Sequence, residues 1–575
     1  MRTRRSCAGI VPDRLSHAWP GNSLSGPPAV LRRVRGVAGC AFFLVFLAGS
    51  NPAWSQSSSD HGSAAQSIFE KGKRALEKKD WEKAIQRFSE CIDLNPTWKE
   101  AFFRRGKARW NKDDNPGAIG DFSKALKIDP NYDEALVARG DVLFEDGNHE
   151  AAIADFSKAL DLSPKNGGTW RRRGYARVRN HDNEGAILDF TKAIDIDVKD
   201  EEALHGRGVA RGLRNDLDGG IDDLTKALSI DPGYARAWCD RGTVRLLKAA
   251  GEPAIADRKK GLEGAVADYT RALELDPKFS EAWCSRGEVR SKQGDLDGAI
   301  KDCTRAVELD PKRINGWVAR GDARVLKGEF DGASVDYSEA LKLNPKNVVA
   351  LGSRAALKEL MGDLDGAEAN LTKSLEIAPK YASSWSSRGH IRREKGNLDG
   401  SIDDFTEALA IEPKRCSTWQ GRGLTRYYKA DTVGAASDLS RAVELSDGET
   451  RDYAALLRWV VRRRLESKRV AEDELSELFG NRAPGGGGKW TEDLAAFCLG
   501  TLSRDALLAK AESAAESDRS GRTCEAHFYV GFAALCDGKN EEASKDFERC
   551  LATGKKSFTE FSMAKHELKR LREGK

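Results

Sequence analysis

The feature that most constrains this chain is a glycine that recurs every 34 residues. It stands at Gly72, Gly106, Gly140, Gly174, Gly208 and Gly242, and after a step of 45 the period resumes at Gly287, Gly321, Ala355, Gly389 and Gly423. Eleven units therefore run from residue 65 to residue 449, with eleven extra residues in the sixth, within 247–264. A fixed period of this length is typical of an array in which each unit buries its apolar face only against its neighbours.

The pattern inside one unit predicts two helices. In the unit 99–132, an apolar residue stands four places before the glycine, and alanines follow it at twelve and nineteen places, an aromatic at sixteen and a proline at twenty-four. The segment Lys112–Pro116 breaks the unit into two helices, and Asp129-Pro130 ends the second, because a residue before proline disfavours helix. The small residues let two helices approach closely. We expect the six tryptophans that stand four places before the glycine to lie in the inter-helix core.

These residues resemble the tetratricopeptide repeat (TPR) family. With Lys99 as position 1, Gly falls at position 8, Ala at 20 and 27, an aromatic at 24 and Pro at 32. The resemblance implies an all-α, right-handed TPR solenoid whose concave groove is lined by the first helix of each unit. It places positions 2, 5, 9, 12 and 13 on the groove wall. The partner-binding candidates there, expected to be exposed, are Phe103, Trp110, Phe144, Arg171, Tyr175, His205, His390, Arg393, Tyr427 and Tyr428.

Two charged series run through the array. Arginine fills position 7 in ten consecutive units, and aspartate fills position 23 in nine of those ten. Their co-occurrence predicts one ion pair per unit, as in Arg105–Asp121, Arg139–Asp155, Arg173–Asp189 and Arg320–Asp336. A second series at position 11 includes Arg109, Arg177, Arg211 and Arg245. It either pairs internally, which the near-neutral charge favours, or forms a basic stripe for acidic peptides or an anionic polymer.

The C-terminal part departs from the period. Residues 450–523 predict a divergent helical segment with a glycine-rich break at 484–488, and 524–575 predict a twelfth unit with a capping helix. Its order of motifs, from Trp490 and Cys498-Leu-Gly through Glu525-Ala-His-Phe-Tyr to Thr559-Glu-Phe, resembles the C-terminal module of NlpI-type bacterial TPR lipoproteins. That resemblance implies an envelope adaptor for proteases and cell-wall hydrolases.

The first 55 residues predict a leader. Arg32, Arg33 and Arg35 precede a short apolar run, and small residues flank a cut after Ser55, which is typical of a secretory signal over about 32–55. An uncleaved anchor is the alternative. Cys40 sits in an acylation-like box, but it precedes the apolar run instead of following it, which disfavours lipidation. We expect 56–64 to be a linker, and no transmembrane helix in the mature chain.

Composition and motifs argue against an enzyme. Without the leader, 87 basic and 89 acidic residues remain, so a general nucleic-acid binder is disfavoured. No HExxH, CxxC pair, GxSxG or EF-hand loop occurs, and we expect no metal or cofactor. Pairing among Cys498, Cys524 and Cys536 is left open, whereas Cys550 falls on a core position. The prediction is an exported, non-enzymatic scaffold in the bacterial periplasm that binds proteins or peptides. The alternatives are an envelope glycan or anionic-polymer binder and, less favoured, an enzyme or enzyme subunit.

Overall fold

A computed structural model describes residues 53–574 except 253–254, 466–467 and 481–488. Within these ranges the chain forms 29 helices and no strand, which confirms the predicted all-α array of antiparallel helix pairs. No helix in the described ranges is long and apolar enough to cross a membrane. The leader before residue 53 and the glycine-rich break at 484–488 lie outside the described residues.

The chain divides into two compact units between Asp310 and Pro311. The described helices of the N-terminal unit are α1 (Ala53–Glu77), α2 (Trp81–Leu94), α3 (Lys99–Trp110), α4 (Asn115–Ile128), α5 (Asp133–Glu145), α6 (His149–Leu162), α7 (Gly167–Arg179), α8 (Asn183–Ile196), α9 (Glu201–Leu213), α10 (Leu217–Ile230), α11 (Ala235–Gly251), α12 (Ile255–Leu275), α13 (Ser280–Gln293) and α14 (Leu296–Leu309). The segment 56–64, expected to be a linker, is part of α1. The eleven-residue insertion lengthens α11 and α12.

The C-terminal unit continues the pairing and ends in a larger core. Its described helices are α15 (Ile314–Lys327), α16 (Phe330–Leu343), α17 (Val348–Leu360), α18 (Leu364–Ile377), α19 (Ala382–Glu394), α20 (Leu398–Ile411), α21 (Cys416–Tyr428), α22 (Thr432–Glu444), α23 (Gly448–Leu465), α24 (Lys468–Phe479), α25 (Trp490–Cys498), α26 (Arg504–Glu512), α27 (Glu516–Cys536), α28 (Asn540–Ala552) and α29 (Thr559–Arg572). Helices α27 and α28 form a twelfth pair, on which α29 packs.

Local sequence sets the helix boundaries. Most second helices begin after an Asp or Asn whose side chain accepts a hydrogen bond from the amide three residues on, as Asp114 does from Gly117 over 2.9 Å. This N-cap satisfies one of the amides that a helix start leaves unpaired. At the end of the same helix, Asp129 is extended (φ −130°), as expected for a residue before proline.

The small residue at position 8 makes room for the aromatic at position 24. A Cβ on Gly140 would lie 2.6 Å from a ring atom of Phe156, and one on Gly174 would lie 2.8 Å from Phe190. Both phenylalanines are buried. The aromatic therefore fills the space that the missing side chain leaves, and the pattern of small and large residues fixes how closely the two helices approach.

Candidate functional site

An arginine at position 7 and an aspartate at position 23 form a bidentate ion pair in nine repeats, here called the ladder. In the second repeat, Arg105 Nε donates to Asp121 Oδ2 over 2.9 Å and Nη2 to Oδ1 over 2.8 Å, while Nη1 donates to Ser89 Oγ of the preceding repeat over 2.9 Å. The structure brings together all nine pairs: Arg105–Asp121, Arg139–Asp155, Arg173–Asp189, Arg207–Asp223, Arg241–Asp268, Arg286–Asp302, Arg320–Asp336, Arg388–Asp404 and Arg422–Asp438.

The second arginine series binds the same aspartates. Arg211 Nη1 donates to Asp223 Oδ2 over 2.8 Å, and its Nε lies 3.6 Å from the cap residue Asp216. The other members that reach a ladder aspartate are Arg109, Arg177, Arg245, Arg290, Arg324, Arg392 and Arg426. Because each of these guanidinium groups has a carboxylate partner, the series does not present a row of unpaired cations to the groove.

The six tryptophans at position 4 are half-buried instead of lying in the core. Each indole N–H donates to the carbonyl of the proline six residues earlier, as Trp170 does to Pro164 over 2.8 Å. The ladder arginine lies over the ring, with the Arg173 guanidinium carbon 4.7 Å from the centroid of Trp170. The same stacking recurs at Trp238, Trp283, Trp317, Trp385 and Trp419. The tryptophans therefore support the ladder, which is a structural role.

None of the ten wall candidates is fully exposed. Phe103, His205 and Tyr427 are buried, and the other seven are half-buried. Neighbouring first helices pack side by side, so a large wall side chain contacts the next repeat. Phe103, for example, packs against Phe122 of its own repeat and against Tyr132, the residue that precedes the next first helix, with ring centroids 5.8 and 5.1 Å away. The expectation of exposure is therefore wrong for Phe103, His205 and Tyr427 and holds only in part for the other seven.

Trp110 and Phe144, which stand at position 12 of the second and third repeats, also contact side chains beyond their own helices. Trp110 donates its indole N–H to Glu145 Oε2 of the next first helix over 2.7 Å. Phe144 packs its ring against His149, with centroids 5.4 Å apart. These side chains leave part of their surface open to solvent and thus available to a partner.

His205 is the centre of a buried polar cluster on the wall of the N-terminal unit. Its Nε2 lies 2.7 Å from Asp240 Oδ2, and its Nδ1 lies 3.2 Å from the Tyr234 hydroxyl and 3.4 Å from that of Tyr175. Although burial opposes it, hydrogen bonds from His205 and Arg236 hold the pKa of Asp240 below its usual value. An ionised carboxylate only accepts, so Nε2 carries a proton and donates it to Asp240.

The cluster extends to the repeats on either side. Arg236 Nε donates to Asp240 over 3.1 Å, and its Nη1 donates to Glu281 of the next first helix over 2.9 Å. On the other side, Arg171 Nη1 donates to Asp200 over 2.6 Å, and its Nε lies 3.0 Å from Glu202. Four successive first helices thus share one patch of charges, part of which reaches solvent at Arg171, Glu202 and Arg236.

A second patch lies on the wall of the C-terminal unit. Arg393 Nη2 donates to His390 Nδ1 over 3.1 Å, and two further guanidinium nitrogens of Arg393, Nε and Nη1, are buried without an acceptor. Burial first, and then the charges of Arg393 and Arg415, lower the pKa of His390 to about 3. His390 is therefore a neutral acceptor at physiological pH.

The last two wall candidates contact the capping helix. The buried Tyr427 donates its hydroxyl to Glu567 Oε1 over 2.6 Å, and Tyr428 packs its ring on His566 with centroids 4.6 Å apart. Glu567 and His566 both belong to α29. The C-terminal wall is therefore completed by a helix that lies outside the 34-residue array.

Sequence reasoning missed several members of these patches. Asp200, Arg236, Asp240, Glu281 and His566 were not among the candidates. Arg236 and Glu281 stand at position 2, one of the positions that the sequence analysis places on the groove wall, so these two residues could have been predicted. Asp240 stands at position 6, where nothing in the period marks it.

His527, which the sequence places near two cysteines, packs in the twelfth repeat. Its Nδ1 lies 2.9 Å from Asp546, which occupies the ladder position 23, and Arg504 Nη2 lies 3.0 Å from the same carboxylate. The ladder aspartate thus persists where Val530 replaces the arginine at position 7, and Arg504 supplies the positive charge. Among the described residues, no group of three His, Cys, Asp or Glu side chains is placed to hold a metal ion.

Comparison with known families and structures finds one family. Residues 69–133, 103–167, 280–313 and 382–415 match models of the tetratricopeptide repeat. No curated protein matches the sequence.

Three solved structures illustrate what the chain is similar to. Yeast Tom70 is 16% identical, over 72% of this chain and 99% of that one, with a TM-score of 0.39. The Cut9 and Hcn1 hetero-tetramer of the APC/C is 13% identical over 87% and 95%, with a TM-score of 0.45. MamA from Desulfovibrio magneticus RS-1 is 21% identical over 30% and 96%, with a TM-score of 0.29.

Proposed function

We propose that this tetratricopeptide-repeat protein is a non-enzymatic scaffold that binds partner proteins or peptides on the walls formed by its first helices. The observation that carries the proposal is the contrast between positions. The ladder positions 7 and 23 barely change from repeat to repeat, whereas the wall positions hold different charged and aromatic residues in each. Constant positions maintain the frame, and variable ones supply a surface specific to a partner.

The two wall patches supply the chemistry for recognition. In the N-terminal unit, the side chains of Arg171, Glu202 and Arg236 retain 27%, 51% and 34% exposure, respectively. In the C-terminal unit, Arg393 donates to the neutral His390, and Tyr428 packs on His566 of α29. Arginine and tyrosine are enriched among residues that dominate binding energy, and a prepositioned side chain loses little conformational entropy when it binds. The arginine series of the described residues contain no row of unpaired cations, so they give no support to the anionic-polymer alternative.

A peptide selection tests the binding proposal. Peptides selected from a random library on the wild-type protein are expected to lose about tenfold in affinity, or about 1.4 kcal/mol, for Arg171→Ala or Arg393→Ala. Isothermal titration measures the loss, and circular dichroism checks that each variant is folded.

Matched controls lie on exposed second-helix positions. Lys192 is 62% exposed on α8 and Lys342 is 70% exposed on α16, so Lys192→Ala and Lys342→Ala should leave affinity unchanged. The proposal fails if wall and control variants bind every selected peptide equally well.

We further propose that the chain is exported to the bacterial cell envelope. The basic segment, apolar run and small residues before Gln56 support this, and so does the resemblance of the C-terminal module to NlpI-type proteins, which suggests proteases and cell-wall hydrolases as partners. We expect protein purified from its native cells to begin at Gln56 when its N-terminus is sequenced. Recovery from the cytosol with Arg32 to Arg35 intact would contradict export.

A further inference from the structure

Two buried cysteines lie in contact in the twelfth repeat. Cys524 on α27 and Cys550 on α28 have no exposed surface, and their Sγ atoms are 3.4 Å apart. The Cys550 Sγ also lies 3.9 Å from the carbonyl oxygen of Glu560 on α29. The two thiols therefore face each other across the helix pair on which the capping helix packs.

The geometry excludes one of the pairings that the sequence left open. Cys536 lies twelve residues after Cys524 on the same helix, which is about 18 Å along its axis. A disulfide requires the sulfurs to be about 2 Å apart, so these two cannot join while α27 is intact. Cys524 and Cys550 need an approach of only about 1.4 Å.

We propose that Cys524 and Cys550 are a redox-modification site, at which a disulfide joins α27 to α28 when the chain folds in the presence of a small-molecule disulfide such as oxidised glutathione. The inference does not rest on the binding function. Cys550 occupies position 27, which holds alanine in nine of the eleven array units and the buried Cys91 in the first, so the repeat pattern brings its thiol into the interface between helices.

The reaction balances with that oxidant. The Cys524 thiolate attacks one glutathione sulfur, which forms a mixed disulfide and releases one glutathione thiolate. The Cys550 thiolate then attacks Cys524 Sγ and releases the second. Two electrons pass to glutathione, and the two cysteine protons leave with the two glutathione thiolates.

In the folded core, Cys524 is the more acidic of the two thiols. A hydrogen bond from Cys550 lowers the pKa of Cys524 against the effect of burial, and the same bond together with burial raises the pKa of Cys550. Because both thiols are buried, the oxidant reaches them while the C-terminal unit folds or opens, before the core closes around them.

Refolding of the full chain tests the proposal. Protein unfolded in urea with all thiols reduced is refolded in mixed reduced and oxidised glutathione, unfolded again in urea that contains iodoacetamide so that every free thiol is alkylated, and digested. Mass spectrometry should find a peptide pair linked through Cys524 and Cys550 with the loss of two hydrogens, and alkylated Cys498 and Cys536. The oxidised protein should melt at a higher temperature than the same sample treated with dithiothreitol.

Cysteine variants locate the bond. Cys550→Ser should abolish the linked pair, whereas Cys498→Ala, a change at another buried thiol of the same core, should leave it unchanged. If Cys550→Ser does not fold, the pattern of alkylated cysteines in the refolded wild-type protein still shows whether Cys524 and Cys550 are linked. Alkylation of both Cys524 and Cys550 after refolding, or a link from either to another cysteine, would overturn the proposal.

Discussion

Replacement of Asp223 by alanine is expected to lower the free energy of unfolding of the N-terminal unit by about 3 to 5 kcal/mol. Asp223 is fully buried and accepts two hydrogen bonds from Arg207 and one from Arg211, each 2.8 Å long. Without the carboxylate, two guanidinium groups remain in a site that excludes most water. The loss of unfolding free energy therefore comes mainly from the two uncompensated positive charges. It exceeds the net stabilisation that the ion pairs of Asp223 provide.

The neighbouring residue provides a matched control. Asp222 is 59% exposed and pairs with Lys226 over 2.7 Å on the outer face of the same helix, so Asp222→Ala should cost less than about 1 kcal/mol. Urea unfolding followed by circular dichroism measures both variants. Amide hydrogen exchange of α9 and α10 shows whether the loss is local, as expected where each repeat contacts only its neighbours. Equal costs for the two substitutions would refute a stabilising role for the ladder.

The ninth repeat shows how the ladder tolerates the loss of a carboxylate. Asn370 replaces the aspartate and accepts from Arg354, while its Nδ2 donates to the carbonyl oxygen of Gly366 over 2.6 Å. In other repeats that carbonyl accepts from the arginine at position 11, as Gly117 accepts from Arg109 over 3.3 Å. Here position 11 is Lys358, which pairs with Asp363 instead. The two replacements compensate, because the amide provides the donor that lysine does not.

The frame of the molecule was predictable because its determinants recur within one period. The Gly at Gly106, the Ala at Ala118 and the Pro at Pro130 each recur at the same position in at least nine of the eleven units, so the pattern of one repeat predicts the structure of the next. The ladder pairs were predictable for the same reason, since Arg105 and Asp121 lie sixteen residues apart on the two helices of one pair. Contacts within a helix pair depend on local geometry alone, and repetition makes them visible in the sequence.

The walls were not predictable from the period, because they depend on how one repeat packs against the next. His205 contacts Tyr175, Tyr234 and Asp240, which belong to three different repeats. Tyr428 is covered by His566 from α29, which has no place in the 34-residue pattern. These side chains are buried because neighbouring first helices lie close together. The position of a residue within its repeat does not give the distance between helices of different repeats.

Burial of His390 on the C-terminal wall makes the stability of that unit depend on pH. The folded unit protonates His390 only near pH 3, whereas the imidazole in an unfolded chain has a pKa near 6.5. Between these values the unfolded state binds a proton that the folded state does not, so stability falls as the pH drops through 6.5. From about pH 7 to about pH 5, His390 alone should cost about 2 kcal/mol.

Substitution of His390 by asparagine should remove that contribution. The asparagine Oδ1 can accept from Arg393 as the imidazole Nδ1 does, and it does not titrate, so unfolding free energies measured in urea should fall less steeply on acidification than those of the wild type. Tyr428→Phe is the matched control, because it alters the same wall without removing a group that titrates in this range. An unchanged slope for His390→Asn would mean that His390 takes up its proton equally easily in the folded and unfolded chains. His390 would then become protonated in the folded chain as the pH falls through about 6.5, and Arg393 would stand beside a second positive charge below that pH.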